Sequence, residues 1–550
     1  MKKDELDKII INTSNLDIEN FDRNKFKINL NRIALIFIII FIVILLYSTR
    51  VIFLSSKTFE KKNYTLNEIN RADITDRNGN FISKSVFTTN VGIDPKLVKD
   101  KKKLLIKLQY TFPEKDILKI KEKLDGKNFF YIEKKVTPDR FKKIKLLGEK
   151  SIRLEPKITR IYPDKNLFSH ILGQIDDDNN GISGIEKSFD NKLKDGRKHL
   201  ATTLDKELQF IIRNELLNAQ NIFKNVGGAG ILMNVNNGEI LSLVSLPDFD
   251  LNQREDISDK KFINRATKGV YELGSVFKTF TIAAGLNNKL ISTSDIFKNL
   301  EKKMKCGGRI ISEYDENLPK DLSVEEILMF SSNIGSVKIG QIVGKEKMKE
   351  FLGLIGMLDK MEFDIEEMGR PLSFKWRDCK LKTVSYGHGI TTTPLQLAKG
   401  YAILSNGGYQ VNPTLIKKMD IPKRKKILND DTSSKINSIL RKVVTIGTAS
   451  LSDVDGYEVG GKTGTAQVVE NGLYTKKKIN TFASVFPISD PKYVLVILLE
   501  DTKLSTDYVY MYRNKPGSFK GTPFNTAGWT SVEIAGKIID KIGPILATKY

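Results

Sequence analysis

A chain of 550 residues is long enough for two or more domains, each with its own core. Basic side chains outnumber acidic ones, 89 to 66, and the formal net charge of +23 favours anionic partners such as membrane surfaces or wall polymers. Nucleic acid is set aside: the lysines are spread widely, and the densest runs, "KDKKKLLIK" (99–107) and "KRKK" (423–426), read as solvated surfaces without an aromatic-rich basic stripe.

In chain order, residues 1–32 are mixed in charge and predict a short disordered tail. The apolar run "IALIFIIIFIVILLY" (33–47) then resumes after Ser48-Thr49-Arg50 and continues to Leu54. Roughly 20 residues cross a hydrocarbon core, so Ile33–Leu54 predicts a transmembrane helix, with Arg50 able to snorkel at the interface. No small-x-small site follows it, and 32 residues precede it, which points to an uncleaved signal anchor. Residues 55–200 alternate β-like runs with lysine-rich amphipathic stretches and carry no catalytic constellation. At "ATTLDKELQFIIRNEL" (201–216) the texture changes to an aspartate-led amphipathic helix. "AGILMNVNNGEILSLVSLP" (229–247) predicts a hairpin turning on Asn236-Asn237-Gly238. Two further strands are expected at "TFASVFPI" (481–488) and "YVLVILLE" (493–500). With helical stretches between, strands from both ends are expected to share one sheet flanked by helices. The two cysteines, Cys306 and Cys379, read as buried or semi-buried thiols, one disulfide being the alternative in an oxidising compartment. The three histidines are too far apart for a zinc site, and no metal or cofactor is expected.

Three short motifs fall in order within the second half: "GSVFK" with Ser275 and Lys278, "SSN" with Ser331 and Asn333, and "KTGT" with Lys462, Thr463, Gly464 and Thr465. On a helix, i and i+3 share a face, so Lys278 can reach the Ser275 hydroxyl and take its proton if the amine is partly neutral. A second ammonium at ~6 Å in an effective dielectric of ~20 repels it by roughly 2.8 kcal/mol, about 2 pKa units. Lys462 brought beside Lys278 would supply that push, and desolvation would add to it. Gly274 suits a helix start whose free N–H groups stabilise an oxyanion. Ser331 can relay a proton to the leaving amine, and the Asn333 amide can hold a substrate amide. S-x-x-K alone is a weak signal; the ordered trio is strong.

Gly456 to Thr463 also spells a P-loop, G-x-x-x-x-G-K-T. That motif needs a helix directly after Lys-Thr, whereas "TGTAQVV" continues as a strand. Gly460, Gly461 and Gly464 instead allow close backbone approach at a sheet edge, where an extended peptide can add as a strand. Lys462 and the Thr463 and Thr465 hydroxyls would then meet its carboxylate. His388, in "YGHG", and Glu272, beside the nucleophile, read as structural: the first packed, the second a cap or ion-pair partner.

Beyond the anchor, nearly the whole chain resembles the class B penicillin-binding proteins, the monofunctional peptidoglycan D,D-transpeptidases. The resemblance rests on "RADITDRNG" (71–79), "RIYP…HILGQIDDDNNGISGIEKSFDNKLKDG" (160–196), "TLDKELQ" (203–209), "NRATKGVYELGSVFKTFT" (264–281), "SYGHGITTTPLQLAKGYAILSNGG" (385–408) and the ending "NTAGWTSVEIAGKIIDKIGPIL" (525–546). That ending resembles the division-specific subgroup. The resemblance implies an α/β protein of α+β type. Its parts would be a cytoplasmic tail (1–32), an inner-membrane anchor (33–54), a mixed α/β pedestal (55–200) and a transpeptidase domain (201–550) with an antiparallel sheet flanked by helices. It implies a periplasmic catalytic domain that cross-links stem peptides ending in D-alanyl-D-alanine at the septum. Ser275 would be the nucleophile, and the N–H groups of Ser275 and Thr465 the oxyanion hole. β-Lactams would be inhibitors, and a polytopic glycan polymerase and other divisome proteins partners. An elongation-type transpeptidase and a β-lactam-sensing receptor are the rival readings. Leu273 departs from the proline of many relatives, and no glycosyltransferase domain is visible.

Overall fold

The computed structural model describes residues 23–58, 71–196, 198–253, 260–417, 424–470 and 472–549. The chain divides into two units, residues 1–69 and 70–550.

In the first unit, helix α1 (Arg23–Thr58) starts inside the expected tail, whose residues 1–22 lie outside the described residues. Its stretch Asn31–Val51, 21 residues with mean hydropathy 2.6, is long and apolar enough to cross a membrane. At 1.5 Å per residue it covers about 31 Å, the thickness of a hydrocarbon core. Its two aliphatic hydroxyls are satisfied within the helix, Ser48 Oγ donating to Ile44 O and Thr49 Oγ1 to Leu46 O.

The second unit begins with a lobe built around one long strand. β1 (Ile74–Thr75) pairs antiparallel with β2 (Phe81–Ile93). Helices α2 (Lys101–Thr111) and α3 (Ile117–Asp125) follow, each opened by an aspartate whose side chain accepts from first-turn N–H groups. β3 (Phe130–Val136), α4 (Pro138–Leu146) and β4 (Ile152–Ile161) complete the outer part, β3 and β4 both pairing antiparallel with β2. Leu104, Leu108, Ile120, Leu124 and Ile144 from the helices pack on Val91, Ile93, Ile132 and Val136 as a small separate core. β5 (Leu200–Ala201) runs parallel to β1. Ala72, Ile74, Ile82 and Leu200, at the lobe's root, belong instead to the main core of the unit.

In α5 (Lys206–Phe223) Asp205 caps the N-terminus, and Leu208, Ile212, Leu216, Ala219 and Phe223 form one buried stripe at helical spacing. β6 (Gly227–Asn234) and β7 (Ile240–Leu246) form the expected hairpin, with Gly238 at φ 79 in its turn. Two helices buried on all sides follow: α6 (Lys278–Asn287), and α9 further on. Between them come the hairpin β8 (Lys303–Cys306) with β9 (Arg309–Ser312), helix α7 (Asn333–Val343) and helix α8 (Asp378–Val384). α9 (Pro394–Ser405) opens with a capping box of Thr393 and Gln396. α10 (Asp430–Thr445) leads to β10 (Gly460–Glu470), β11 (Leu473–Phe486), β12 (Tyr493–Glu500) and the closing helix α11 (Ser531–Lys549). The sheet order is β10-β11-β12-β6-β7, antiparallel throughout, so strands from both ends of this region share one sheet. β10 lies at its edge. No helix follows Lys462-Thr463, and the P-loop reading is excluded.

Cys306 and Cys379 are joined by a disulfide, which corrects their reading as separate thiols. The bond ties the β8–β9 hairpin to α8, two elements whose proximity no local pattern announces.

Candidate active site

The segment of the expected nucleophile is a single 3₁₀ turn, Gly274–Phe277, running directly into α6, where an ordinary helix start was expected. In a 3₁₀ turn residues i and i+3 eclipse, which stacks Ser275 over Lys278. Edge strand β10 lies tight against this turn. A Cβ on Gly464 would come within 2.2 Å of Leu273 O, and one on Gly274 within 2.7 Å of Thr465 O. Only glycine permits either approach.

Ser331 adopts φ 62, a left-handed conformation uncommon for a residue with a Cβ. The twist sets its hydroxyl between two lysines. Lys278 Nζ donates to Ser331 Oγ at 3.0 Å and Lys462 Nζ at 2.9 Å. Lys278 also donates to the Ser331 carbonyl, and Lys462 to Thr463 O at 3.2 Å. A hydroxyl has two lone pairs and one proton, so with both lone pairs engaged the Ser331 proton is left to point elsewhere. Among the described residues the Ser275 hydroxyl makes no hydrogen bond, so Lys278 is turned toward Ser331 rather than Ser275. Lys278, Ser331 and Lys462 thus converge as expected, while the Ser275–Lys278 hydrogen bond is not formed.

Both ammonium groups are fully buried. Burial lowers Lys278 to about 7 against the opposing pull of Glu313, and pushes Lys462 well below its ordinary value, with the charge of Lys278 adding to the effect. Burial therefore leads at both amines, and the like-charge repulsion expected to act on Lys278 acts on Lys462 instead.

Asn333 Nδ2 donates to Ser312 O at 2.7 Å, leaving its carbonyl oxygen for other use. The Thr463 and Thr448 hydroxyls are 2.8 Å apart at the start of β10. The Thr465 hydroxyl is committed internally, donating to Asn480 Oδ1 at 3.1 Å and accepting from Ala527 N at 3.0 Å. A ligand carboxylate would accordingly meet the Thr463–Thr448 pair first.

Glu313 escaped sequence reasoning. Its carboxylate accepts from Ser332 Oγ at 2.6 Å, Asn333 N at 2.7 Å and Ile334 N at 3.0 Å, capping α7 and holding the Ser-Ser-Asn turn in place. The one available signal was an acidic residue closing a short hairpin ahead of that motif. His388, read as structural, is within reach of the charge of Lys278. Burial first, and then that charge, hold its imidazole down to about 4. Its ring lies 4.7 Å from Tyr386 and 6.2 Å from Tyr474. Glu272 accepts a hydrogen bond from Tyr474 Oη at 3.2 Å. Among the described residues no cluster suits a metal ion.

Residues 228–516 match the family described as "Penicillin binding protein transpeptidase domain", and residues 67–215 match "Penicillin-binding Protein dimerisation domain". The chain belongs to the penicillin-binding protein transpeptidase family. Among curated relatives it is similar to the "Probable peptidoglycan D,D-transpeptidase FtsI" of Caulobacter vibrioides, 29% identical over 87% of this chain and 82% of the relative. It is also similar to the "Peptidoglycan D,D-transpeptidase FtsI" of Escherichia coli, 27% identical over 80% of each. The fold is shared with penicillin-binding protein 3 of Mycobacterium tuberculosis, solved with aztreonam, at TM-score 0.65 and 21% identity over 87% of this chain and 97% of that one. This transpeptidase is a serine enzyme of the peptidoglycan D,D class, built on a mixed α/β fold with, among the described residues, one candidate membrane helix.

Proposed function

We propose that this transpeptidase cross-links septal peptidoglycan through an acyl-serine intermediate on Ser275. The observation that carries the mechanism is the convergence of two buried lysines on the Ser331 hydroxyl beside the nucleophile turn. An amine with a pKa of about 7 is substantially neutral at physiological pH, so Lys278 can accept the Ser275 proton after a small rotation away from Ser331; such contacts often close only when substrate binds.

The donor peptide lies along the β10 edge as an added strand, with its terminal carboxylate at Thr463 and Thr448 and Lys462 behind them. Asn333 holds its amide. Ser275 Oγ attacks the penultimate carbonyl as its proton passes to Lys278, and the developing oxyanion is held by the N–H groups of Ser275 and Thr465. Ser331, hydrogen-bonded to both lysines, relays the proton to the departing D-alanine amine. An incoming amine then reverses the sequence, losing its proton by the same relay and taking the acyl group. β-Lactams acylate the same serine.

The division role is supported by likeness to FtsI relatives along at least 80% of the chain. The anchor in α1 would hold the enzyme in the inner membrane with residues 55–200 as pedestal and 201–550 as catalytic domain in the periplasm. A polytopic glycan polymerase and divisome proteins would be its partners. A fluorescent penicillin should label the full chain, with labelling abolished in Ser275→Ala and largely lost in Lys278→Ala. Labelling that persists in Ser275→Ala would refute the acyl-serine assignment, and recruitment to the side wall rather than the septum would refute the division role.

A further inference from the structure

The arginines of the second unit are almost all engaged. Those with described side chains pair with a carboxylate or, for Arg424, donate to a backbone carbonyl, with two exceptions, Arg370 and Arg377. Both are exposed, as are Lys268 and Lys375, and among the described residues none of the four side chains makes an ion pair or hydrogen bond. Unpaired arginines so close in sequence, in a unit whose other described arginine side chains are all engaged, mark a surface whose partner is not part of the fold.

The strip has a defined place beside the cleft. Gly369 N donates to Thr267 O at 2.8 Å, and Leu372 N donates to Thr391 Oγ1 at 2.8 Å, so residues 369–372 run alongside the segment leading to the nucleophile. Lys380 braces the strip from beneath. It donates to the Gly389 carbonyl next to His388, lies 4.1 Å over the Phe374 ring, and feels the charge of Glu272. Phe374 and Trp376 pack 5.0 Å apart and fix the segment that carries Lys375 and Arg377. Against these cations stand Glu272, at the cleft end, and Asp378, exposed on α8.

β10 sets the direction in which a donor would extend. With the terminal carboxylate at Thr463 and the scissile carbonyl beside Thr465, the upstream residues run toward Val469, which pairs with Tyr474, and so past Glu272 and His388. The cationic strip adjoins them through Lys380, which touches both Gly389 and Phe374. We propose that Arg370 and Arg377, supported by Lys268 and Lys375, form a subsite for a carboxylate on the donor stem peptide upstream of its D-alanyl-D-alanine end. This rests on the transpeptidase reading above and adds to it a charge preference. The arginines are specificity-determining groups that touch substrate away from the reacting atoms, and a planar guanidinium suits a carboxylate better than an ammonium does.

The test uses the full chain in uncharged detergent with two soluble peptide donors ending in D-alanyl-D-alanine, one bearing an upstream carboxylate and the other its carboxamide isostere. The rate of Ser275 acylation is read for each by competition with a fluorescent penicillin. Two exposed charge pairs predict a preference for the acidic donor of about five- to tenfold at low salt. That ratio should fall toward one at high salt, and also in Arg370→Gln/Arg377→Gln, each protein being its own reference. A ratio of one in the unaltered protein overturns the subsite, as does a preference that survives in the double variant. The first result would also follow if the strip met a lipid headgroup instead. Failure of penicillin to label Ser275 at all would instead remove the parent reading.

Discussion

Two buried clusters in this chain use charge in opposite ways. In the first lobe of the second unit, Arg71 and Arg160 share Glu186, at 2.5 Å and 2.8 Å, with Arg71 also pairing Asp190 at 2.7 Å. Ser83 Oγ and Tyr162 Oη donate to the same Glu186 oxygen that Arg160 contacts. Opposite charges are matched and hydrogen-bonded, and Arg71 and Glu186 are almost sealed from solvent. In the cleft, Lys278 and Lys462 are equally sealed, yet they point at one neutral hydroxyl, with Glu313 the nearest counter-charge acting on Lys278. Burial with a partner fixes a structure, whereas burial without one drives off a proton. The lobe is built for rigidity and the cleft for reactivity.

Breaking each cluster should therefore give opposite signatures. The largest effect is expected from Lys278→Met, which removes the proposed base: acylation of Ser275 by penicillin should fall about 10²–10⁴-fold. Thermal stability should hold or rise, because a buried amine is replaced by an apolar chain of similar length. Glu186→Gln should do the reverse, leaving two buried arginines short of a counter-charge. A loss of about 3–5 kcal/mol in denaturant unfolding is expected, with acylation by the molecules that remain folded little changed.

The disulfide offers a third, intermediate break. Cys306 and Cys379 are 73 residues apart, and closing a loop of that size restricts the unfolded chain by up to about 4 kcal/mol. Replacing both by serine should lower the unfolding midpoint by part of that amount. Because the bond holds the hairpin that presents Glu313, acylation should slow as well. The smallest and sharpest effect is expected of Glu313→Gln. It weakens the cap on α7 by about 1 kcal/mol and removes the charge that raises Lys278, so the midpoint of the pH–rate profile should move to lower pH.

What could be seen in the sequence was whatever is carried by local spacing or by unbroken apolar runs. The three motifs, the Asn-Asn-Gly hairpin and the late strands are of that kind, and the span Asn31–Val51 falls almost wholly inside the expected 33–54. Ser331 could be named as a candidate relay, but not that a left-handed backbone would set its oxygen between two lysines. Glu313 and the Cys306–Cys379 bond depend on elements brought together only by the packed core, which no periodicity reports. The origin of the lysine shifts was misjudged for the same reason. Like-charge repulsion follows from having two lysines in one cleft, while the depth of burial follows from the close fit of β10 on the nucleophile turn.

The central claim is that burial makes Lys278 a base at neutral pH, and the pH dependence of Ser275 acylation by a penicillin tests it most directly. Since the neutral amine is the active form, the rate should climb as pH rises, with a midpoint near the Lys278 value of about 7, and the climb should vanish in Lys278→Met. A midpoint near 10, or a flat profile from acid to alkaline pH, would contradict the account.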